Sequence, residues 1–166
     1  MNRSTRICLV LWTLCLAAAR PGEGQVISLA VGTGPVFLPG SGTLGDWQGM
    51  LSVGVQQRAV GVRLEAMYTG VPGADLLALT ANVLWVVRRR VATQVEPYLI
   101  AGVGSYVKYS ESRFGLNAGA GIRRQVGWLR LFAEARYHHV TSRFDEGRLA
   151  DTFVPVSVGV ALGHGR

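Results

Sequence analysis

Cysteine, charge and long apolar runs are all scarce in this chain of 166 residues. The two cysteines, Cys8 and Cys15, lie in the first 19 residues. Once that segment is removed no thiol remains, which excludes disulfides, cysteine nucleophiles and cysteine metal sites. No later stretch holds the run of about 18 apolar residues that a membrane-spanning helix needs. With 16% charged residues, the chain is also poor in charge for a nucleic-acid-binding module.

The first residues have the pattern of a secretory signal peptide. Arg3 and Arg6 precede an apolar run from Ile7 to Ala19, and three alanines end that run. A basic start, a short apolar core and a small-residue cleavage site are typical of such signals. We therefore predict that residues 1–19 are a signal peptide and that residues 20–166 form one domain.

The rest of the chain is rich in segments that alternate apolar residues with glycine, polar or charged residues. No helical period appears after the signal, whereas period-two segments recur as far as the C-terminus. Turn-rich pieces separate these segments, as expected for an all-β chain. Eight strands are predicted, over residues 26–34, 47–56, 60–69, 76–87, 95–108, 114–124, 128–138 and 153–162.

The predicted connections alternate in length along the chain. Those near 57–59, 88–94 and 125–127 are interpreted as tight turns. Most of the others are interpreted as open loops, at 34–46, 70–75, 111–113 and 139–151. Short periplasmic turns and longer external loops are typical of an up-and-down barrel in an outer membrane.

The two faces of the predicted strands distinguish a membrane barrel from a soluble one. One face is apolar, while the other holds mostly small residues and charges of both signs. Such a face fits the narrow lumen of an eight-stranded barrel, which side chains fill. An arginine facing lipid instead would cost about 2–4 kcal/mol at the bilayer midplane. We predict a network of lumen charges made by Arg63, Glu65, Glu96, Arg123, Arg130, Glu134 and Arg136.

Aromatic residues cluster at the predicted strand ends, where membrane barrels carry an aromatic belt at each interface. Two residues are expected near the inner turns, Trp85 and Trp128. Six are expected near the outer loops: Trp47, Tyr68, Tyr109, Phe114, Tyr137 and Phe153.

Four segments resemble a known family: residues 96–104, Phe114–Gly121, Phe132–His138 and Phe153–Val160. With their alternating glycines and aromatic ends they are similar to the small outer-membrane β-barrel superfamily that contains OmpA-like and OmpW-like proteins. The resemblance implies an eight-stranded antiparallel transmembrane barrel in the bacterial outer membrane, monomeric and without a cofactor. It also implies outer-membrane lipids and the barrel-assembly machinery as partners, and no nucleic acid.

The C-terminus departs from the family pattern. Members often close the last strand with an aromatic residue, phenylalanine in particular, which the assembly machinery reads. Here the predicted strand closes with Leu162, and residues 163–166 form a short tail. The departure bears on how efficiently the chain is assembled into a membrane.

Polar residues near the end of the seventh predicted strand are candidates for a catalytic or metal site. A hydroxyl nucleophile needs a base within hydrogen-bond reach. The His-x-Ser spacing of lipid A deacylases is absent, and adjacent histidines on a strand point to opposite faces. No catalytic residue or metal ligand is therefore assigned among His138, His139, Thr141, Ser142, Asp145 and Glu146.

Two further motifs have structural interpretations. The G-x-G pairs that end at Gly104 and Gly121 complete no nucleotide-binding motif, and on a strand they make space for lumen side chains. Arg88, Arg89 and Arg90 are placed in a periplasmic turn, solvated or near phosphate head groups. The predicted function is a structural, adhesive or small-solute pore role and not catalysis. The alternatives are a lipid-modifying barrel enzyme and a soluble periplasmic ligand-binding barrel.

Overall fold

The computed structural model describes residues 25–39, 44–71, 74–87, 95–108, 111–141 and 152–165. The predicted signal peptide lies outside these ranges and stays a prediction. The described residues hold no helix that is long and apolar enough to cross a membrane. They form eight strands: β1 (Gln25–Phe37), β2 (Leu44–Gln57), β3 (Val60–Val71), β4 (Ala74–Val86), β5 (Val95–Lys108), β6 (Glu111–Val126), β7 (Leu129–Val140) and β8 (Thr152–Gly165).

The strands form a closed up-and-down barrel. Each pairs antiparallel with its neighbours in sequence, and β1 pairs antiparallel with β8 from Val26↔Gly165 to Phe37↔Val154. Closure gives every strand two partners, so backbone N–H and C=O groups are satisfied without water, as a bilayer requires. The predicted all-β fold with eight antiparallel strands is confirmed.

Several strands run further than the sequence pattern predicts. Residues 111–113 are a predicted loop but begin β6, where Glu111 pairs with Lys108 of β5. Residues 163–165 of the predicted C-terminal tail are likewise part of β8, because Gly163 and Gly165 pair with β1. Ladder hydrogen bonds come from the backbone, so a strand continues where the apolar alternation has already ended. The loops 34–46 and 70–75 are correspondingly shorter than predicted, since β1, β2, β3 and β4 extend into them.

The two ends of the barrel differ in their connections. We call the end that carries the described residues 58–59, 87 and 127–128, together with Gln25 and Gly165, the turn end. We call the opposite end, where β1, β3, β5 and β7 finish and β2, β4, β6 and β8 begin, the loop end. Of the three predicted tight turns, the one at 88–94 lies outside the described residues.

The two described tight turns share a backbone conformation and a side-chain hydrogen bond. Arg58 and Gly127 both have positive φ, 56° and 61°. In each turn a glutamine two residues earlier donates its side-chain N–H to the carbonyl oxygen of that residue. The distance is 2.9 Å from Gln56 Nε2 to Arg58 O and 2.8 Å from Gln125 Nε2 to Gly127 O. Glycine adopts this conformation without strain, whereas arginine does so at a cost.

Burial follows the predicted division of faces. Along β7, Leu131 and Tyr137 are exposed on the outward face, while Phe132, Glu134 and Arg136 are buried in the lumen. The outward face carries exposed leucine, valine and isoleucine on all eight strands. An apolar surface that encircles the molecule contradicts the soluble alternative and suits a lipid environment.

The aromatic belts lie where they were predicted, with one exception. Trp85 and Trp128 are exposed near the turn end, and Trp47, Tyr68, Phe114 and Tyr137 are exposed near the loop end. The assignment of Phe153 to the belt was wrong, because its side chain is fully buried in the lumen. Phe153 shares its face with Pro155 and Ser157, and that parity decides its direction. Tyr109 lies outside the described residues.

Candidate functional site

Four charged side chains form a bridge across the lumen, which we call the crosspiece: Arg63 and Glu65 of β3 with Glu134 and Arg136 of β7. In the ring of eight strands, β3 and β7 are separated by three strands on either side, so they face each other across the barrel. Both run in the same direction. The order Arg-x-Glu on β3 therefore meets the order Glu-x-Arg on β7, and each cation lies opposite an anion.

Ion pairs connect all four residues of the crosspiece. Arg63 Nη2 lies 2.7 Å from Glu134 Oε1 and 3.1 Å from Glu65 Oε2. Arg136 Nε lies 3.1 Å from Glu134 Oε1, and Arg136 Nη2 donates to Glu65 Oε1. The Tyr98 hydroxyl of β5 donates to Glu134 Oε2 at 2.6 Å. Two cations and two anions make the group neutral, which is what allows these charges to be buried together.

Glycines on β6 make room for the crosspiece. A Cβ on Gly119 would meet the Ala135 carbonyl oxygen and Cγ of Arg136, and a Cβ on Gly121 would meet the ring of Tyr98. The inward face of β6 thus lets a neighbouring side chain lie flat against the barrel wall.

Aromatic and apolar side chains fill the lumen between the crosspiece and the loop end. The rings of His138 and Phe153 stack with centroids 4.8 Å apart, and Tyr106 meets both rings edge-on. The Tyr106 hydroxyl and His138 Nδ1 are 2.8 Å apart and share a hydrogen bond. Other fully buried residues complete this layer, namely Val36, Met67 and Leu76. We call this group the loop-end plug.

The lumen on the other side of the crosspiece is open. A cavity of about 50 Å³ is lined among others by Ser28, Ser52, Tyr98, Arg123 and Arg130. We call it the turn-end vestibule. Small side chains and glycine backbone form much of its wall, so space remains there that the loop-end plug fills on the other side.

A second ion pair lies at the mouth of the turn-end vestibule. Arg123 Nε donates to Glu96 Oε2 at 2.9 Å, and Arg123 Nη1 donates to Gln56 Oε1 at 2.5 Å. The Glu96 side chain is 54% exposed, so this pair is far more solvated than the crosspiece. Arg130 donates to Gln125 Oε1 over a longer distance of 3.4 Å.

The seven predicted lumen charges therefore fall into two groups. The crosspiece takes Arg63, Glu65, Glu134 and Arg136, and the mouth of the turn-end vestibule holds Glu96, Arg123 and Arg130. The sequence interpretation did not assign three hydrogen-bonded, uncharged residues to the lumen: Tyr98, which donates to Glu134, and Tyr106 and His138, which bond to each other. All three share the lumen parity of their strands, which is the signal that could have identified them.

The residues considered for catalysis are not brought together in the part of the chain that the structure describes. His138 is buried in the lumen, whereas His139 is exposed on the outward face. Thr141 Oγ1 donates to the Phe114 carbonyl oxygen at 2.8 Å. Ser142, Asp145 and Glu146 lie outside the described residues. No group of three metal-ligating side chains occurs among the described residues.

Comparisons with known proteins agree with this geometry at the level of the fold. No protein-family model and no curated protein matches the sequence. Neisserial surface protein A (NspA) matches with a TM-score of 0.65 at 15% identity, over 84% of this chain and 97% of that one. A major outer-membrane protein of Thermus thermophilus matches with a TM-score of 0.63 at 14% identity, over 86% and 100%. The fold is that of the small outer-membrane β-barrels.

Other proteins with this fold differ in what they do. Ail, the attachment invasion locus protein of Yersinia pestis, matches with a TM-score of 0.55 at 18% identity, over 86% of this chain and 99% of that one. The outer-membrane enzyme PagL matches with a TM-score of 0.51 at 14% identity, over 81% and 98%. Because both an attachment protein and an enzyme share the architecture, the barrel alone does not decide the function.

Proposed function

We propose that this chain is an integral outer-membrane barrel with a closed lumen and a structural or adhesive role at the membrane surface. The observation that carries the proposal is the crosspiece together with the loop-end plug. The crosspiece spans the diameter of the lumen, and the fully buried rings of Tyr106, His138 and Phe153 lie above it. Of the roles that the sequence suggested, a small-solute pore is the one that this filling disfavours.

The outward face supports residence in a membrane as a monomer surrounded by lipid. Its apolar belt lies between aromatic residues at both ends, and backbone pairing is complete around the barrel. The same fold in NspA and the Thermus protein supports the outer membrane as the location and the barrel-assembly machinery as the insertion route. Ail, an attachment protein by name, supports an adhesive role.

Absence of catalysis is part of the proposal. An enzyme at the rim would need a nucleophile and a base in hydrogen-bond reach. His138 and His139 point to opposite sides of the barrel wall, and His138 Nδ1 is engaged by the Tyr106 hydroxyl. PagL supports the competing enzyme hypothesis only through the shared fold.

Single-channel recording in a planar bilayer tests the closed lumen. We expect the folded wild type, verified by its heat-modifiable migration in detergent gels, to give no stable conductance steps. The paired variant Glu65→Ala with Arg136→Ala removes one cation and one anion of the crosspiece and should conduct more. Regular open steps in the wild type would contradict the proposal and restore the pore hypothesis.

Membrane residence is tested by placing one arginine at two depths of the same strand. Leu51 and Gln57 both face outward on β2, Leu51 in mid-strand and Gln57 at the turn end. We expect Leu51→Arg to lose about 2–4 kcal/mol of folding free energy in lipid vesicles, and Gln57→Arg at most about 1 kcal/mol. The measurement is urea unfolding in vesicles. Equal tolerance of both arginines would show that the outward face does not lie in lipid.

A further inference from the structure

We propose that the turn-end vestibule is a binding site for a phosphate group. The inference goes beyond the proposed surface role, because it concerns the opposite end of the barrel. Three features of the vestibule support it: its arginines, the hydrogen-bond donors in its wall that have no partner, and the excess of positive charge at the turn end.

Two arginines lie diagonally across neighbouring strands at the mouth. Arg123 of β6 is opposite Phe132 of β7, and Gln125 is opposite Arg130, so Arg123 and Arg130 are diagonal neighbours on the lumen face. Diagonal neighbours have their Cα atoms about 7–8 Å apart, which places two long side chains within reach of one anion. Guanidinium groups recognise phosphate through charge-assisted hydrogen bonds.

Donors deeper in the vestibule lack partners. Ser52 Oγ and Arg63 Nε are buried with no hydrogen-bond partner among the described residues, and both residues line the cavity. Buried donors need acceptors, and an unmet one is costly. At the mouth, Arg123 donates to Glu96 Oε2 and to Gln56 Oε1, so neither of these atoms reaches the two inner donors.

The set of donors suits a tetrahedral anion. Ser52, Arg63, Arg123 and Arg130 come from β2, β3, β6 and β7, so they approach the cavity from different sides. A phosphate presents oxygens in several directions, whereas a carboxylate presents two in one plane. Arg123 and Arg130 bind the phosphate at the mouth. The inner donors, on Ser52 and Arg63, donate to the phosphate oxygens that face into the barrel or to water beside them.

Charge at the turn end favours the same ligand. Near this end the described strands and turns carry Arg58, Arg123, Arg124 and Arg130 against a single described carboxylate, Glu96. Such an excess of positive charge raises the local concentration of anions and speeds their binding.

Isothermal titration of the full-length folded protein in a non-ionic maltoside detergent with inorganic phosphate tests the proposal. We expect saturable binding at a single site. Arg130→Gln should weaken binding about tenfold, which corresponds to about 1.4 kcal/mol. Arg130→Lys should recover part of the affinity, because lysine keeps the positive charge but lacks the planar guanidinium group that can donate two hydrogen bonds at once. Glu96→Gln should tighten binding, because it removes the carboxylate at the mouth.

Arg124→Gln is the matched control. Arg124 lies one residue from Arg123 but faces outward, so the variant removes one positive charge from the same end of the barrel without touching the vestibule. An affinity loss as large as that of Arg130→Gln would show diffuse attraction to the surface and would overturn the site. The absence of saturable phosphate binding to the wild type would also overturn it.

Two competitors distinguish the source of the phosphate. A short-chain phosphatidylglycerol that displaces inorganic phosphate at lower concentration than glycerol phosphate identifies a lipid head group as the natural ligand. The reverse order identifies a free phosphate compound. Either result supports the vestibule as the site, and failure of both to displace inorganic phosphate contradicts it.

Discussion

The two halves of the lumen are built on the same eight strands and have opposite properties. Toward the loop end, large inward side chains such as Tyr106, Phe153 and Met67 are fully buried and belong to one apolar cluster. Toward the turn end, inward positions hold Ser28, Ser52 and other small residues, and space remains. An eight-stranded barrel has an interior that side chains can just fill. Whether a given layer is closed is therefore decided by the volume of its inward residues.

The largest expected difference in unfolding free energy is between variants of the two sets of ion pairs. Glu134→Gln leaves two buried arginines short of an anion, and breaking a buried ion pair typically costs about 3–5 kcal/mol. Glu96→Gln removes a half-exposed partner, for which about 1 kcal/mol or less is expected. Urea unfolding in vesicles measures both. Similar losses for the two variants would mean that the crosspiece is no less accessible to solvent than the mouth of the turn-end vestibule.

A somewhat smaller difference in unfolding free energy is expected between truncations of two phenylalanines. Phe153→Ala in the loop-end plug removes a fully buried ring that contacts both His138 and Tyr106, and we expect a loss of about 3 kcal/mol in unfolding free energy. Phe132→Ala on the vestibule wall should cost less, because water can occupy the enlarged space there. The same unfolding assay compares them, and a larger loss at Phe132 would reverse the contrast between the two halves.

The smallest effect concerns the turns at the turn end. Arg58→Gly should stabilise the barrel by about 1 kcal/mol, because glycine tolerates the positive φ that arginine is forced to adopt. Gly127→Ala should destabilise it by a similar amount, about 1 kcal/mol, for the same reason. Both changes leave the glutamine hydrogen bonds in place. A destabilised Arg58→Gly variant would indicate that the Arg58 side chain contributes more than the backbone strain costs.

Much of the fold could be predicted from the sequence because period two alone specifies which side chains share a face. The strand count, the closed barrel and the inward position of charges such as Arg63 and Glu134 follow from that pattern. The partner of each charge did not follow, because it depends on which strands lie across the lumen and at what height. The position of Phe153 at a strand end predicts a place in the aromatic belt, but the residue shares the parity of Pro155 and Ser157 and therefore faces the lumen.

Strand ends were the least predictable part of the fold. Glu111 and Lys108 carry no apolar signal, and their pairing depends on the neighbouring backbone. The turn-end vestibule could not be predicted either, since an empty volume arises from several small residues on different strands. The signal peptide at 1–19 and the functional role of the lumen charges stay predictions.

The crosspiece also has a consequence for the order of assembly. Arg63 and Glu65 lie in the N-terminal half of the chain and pair with each other, whereas their ion-pair partners across the lumen lie on the seventh of eight strands. A sheet of the first six strands therefore carries one ion pair of its own and lacks Glu134 and Arg136. The neutral group of four exists only once β7 is in register with the rest of the barrel, so the crosspiece links the two halves of the chain.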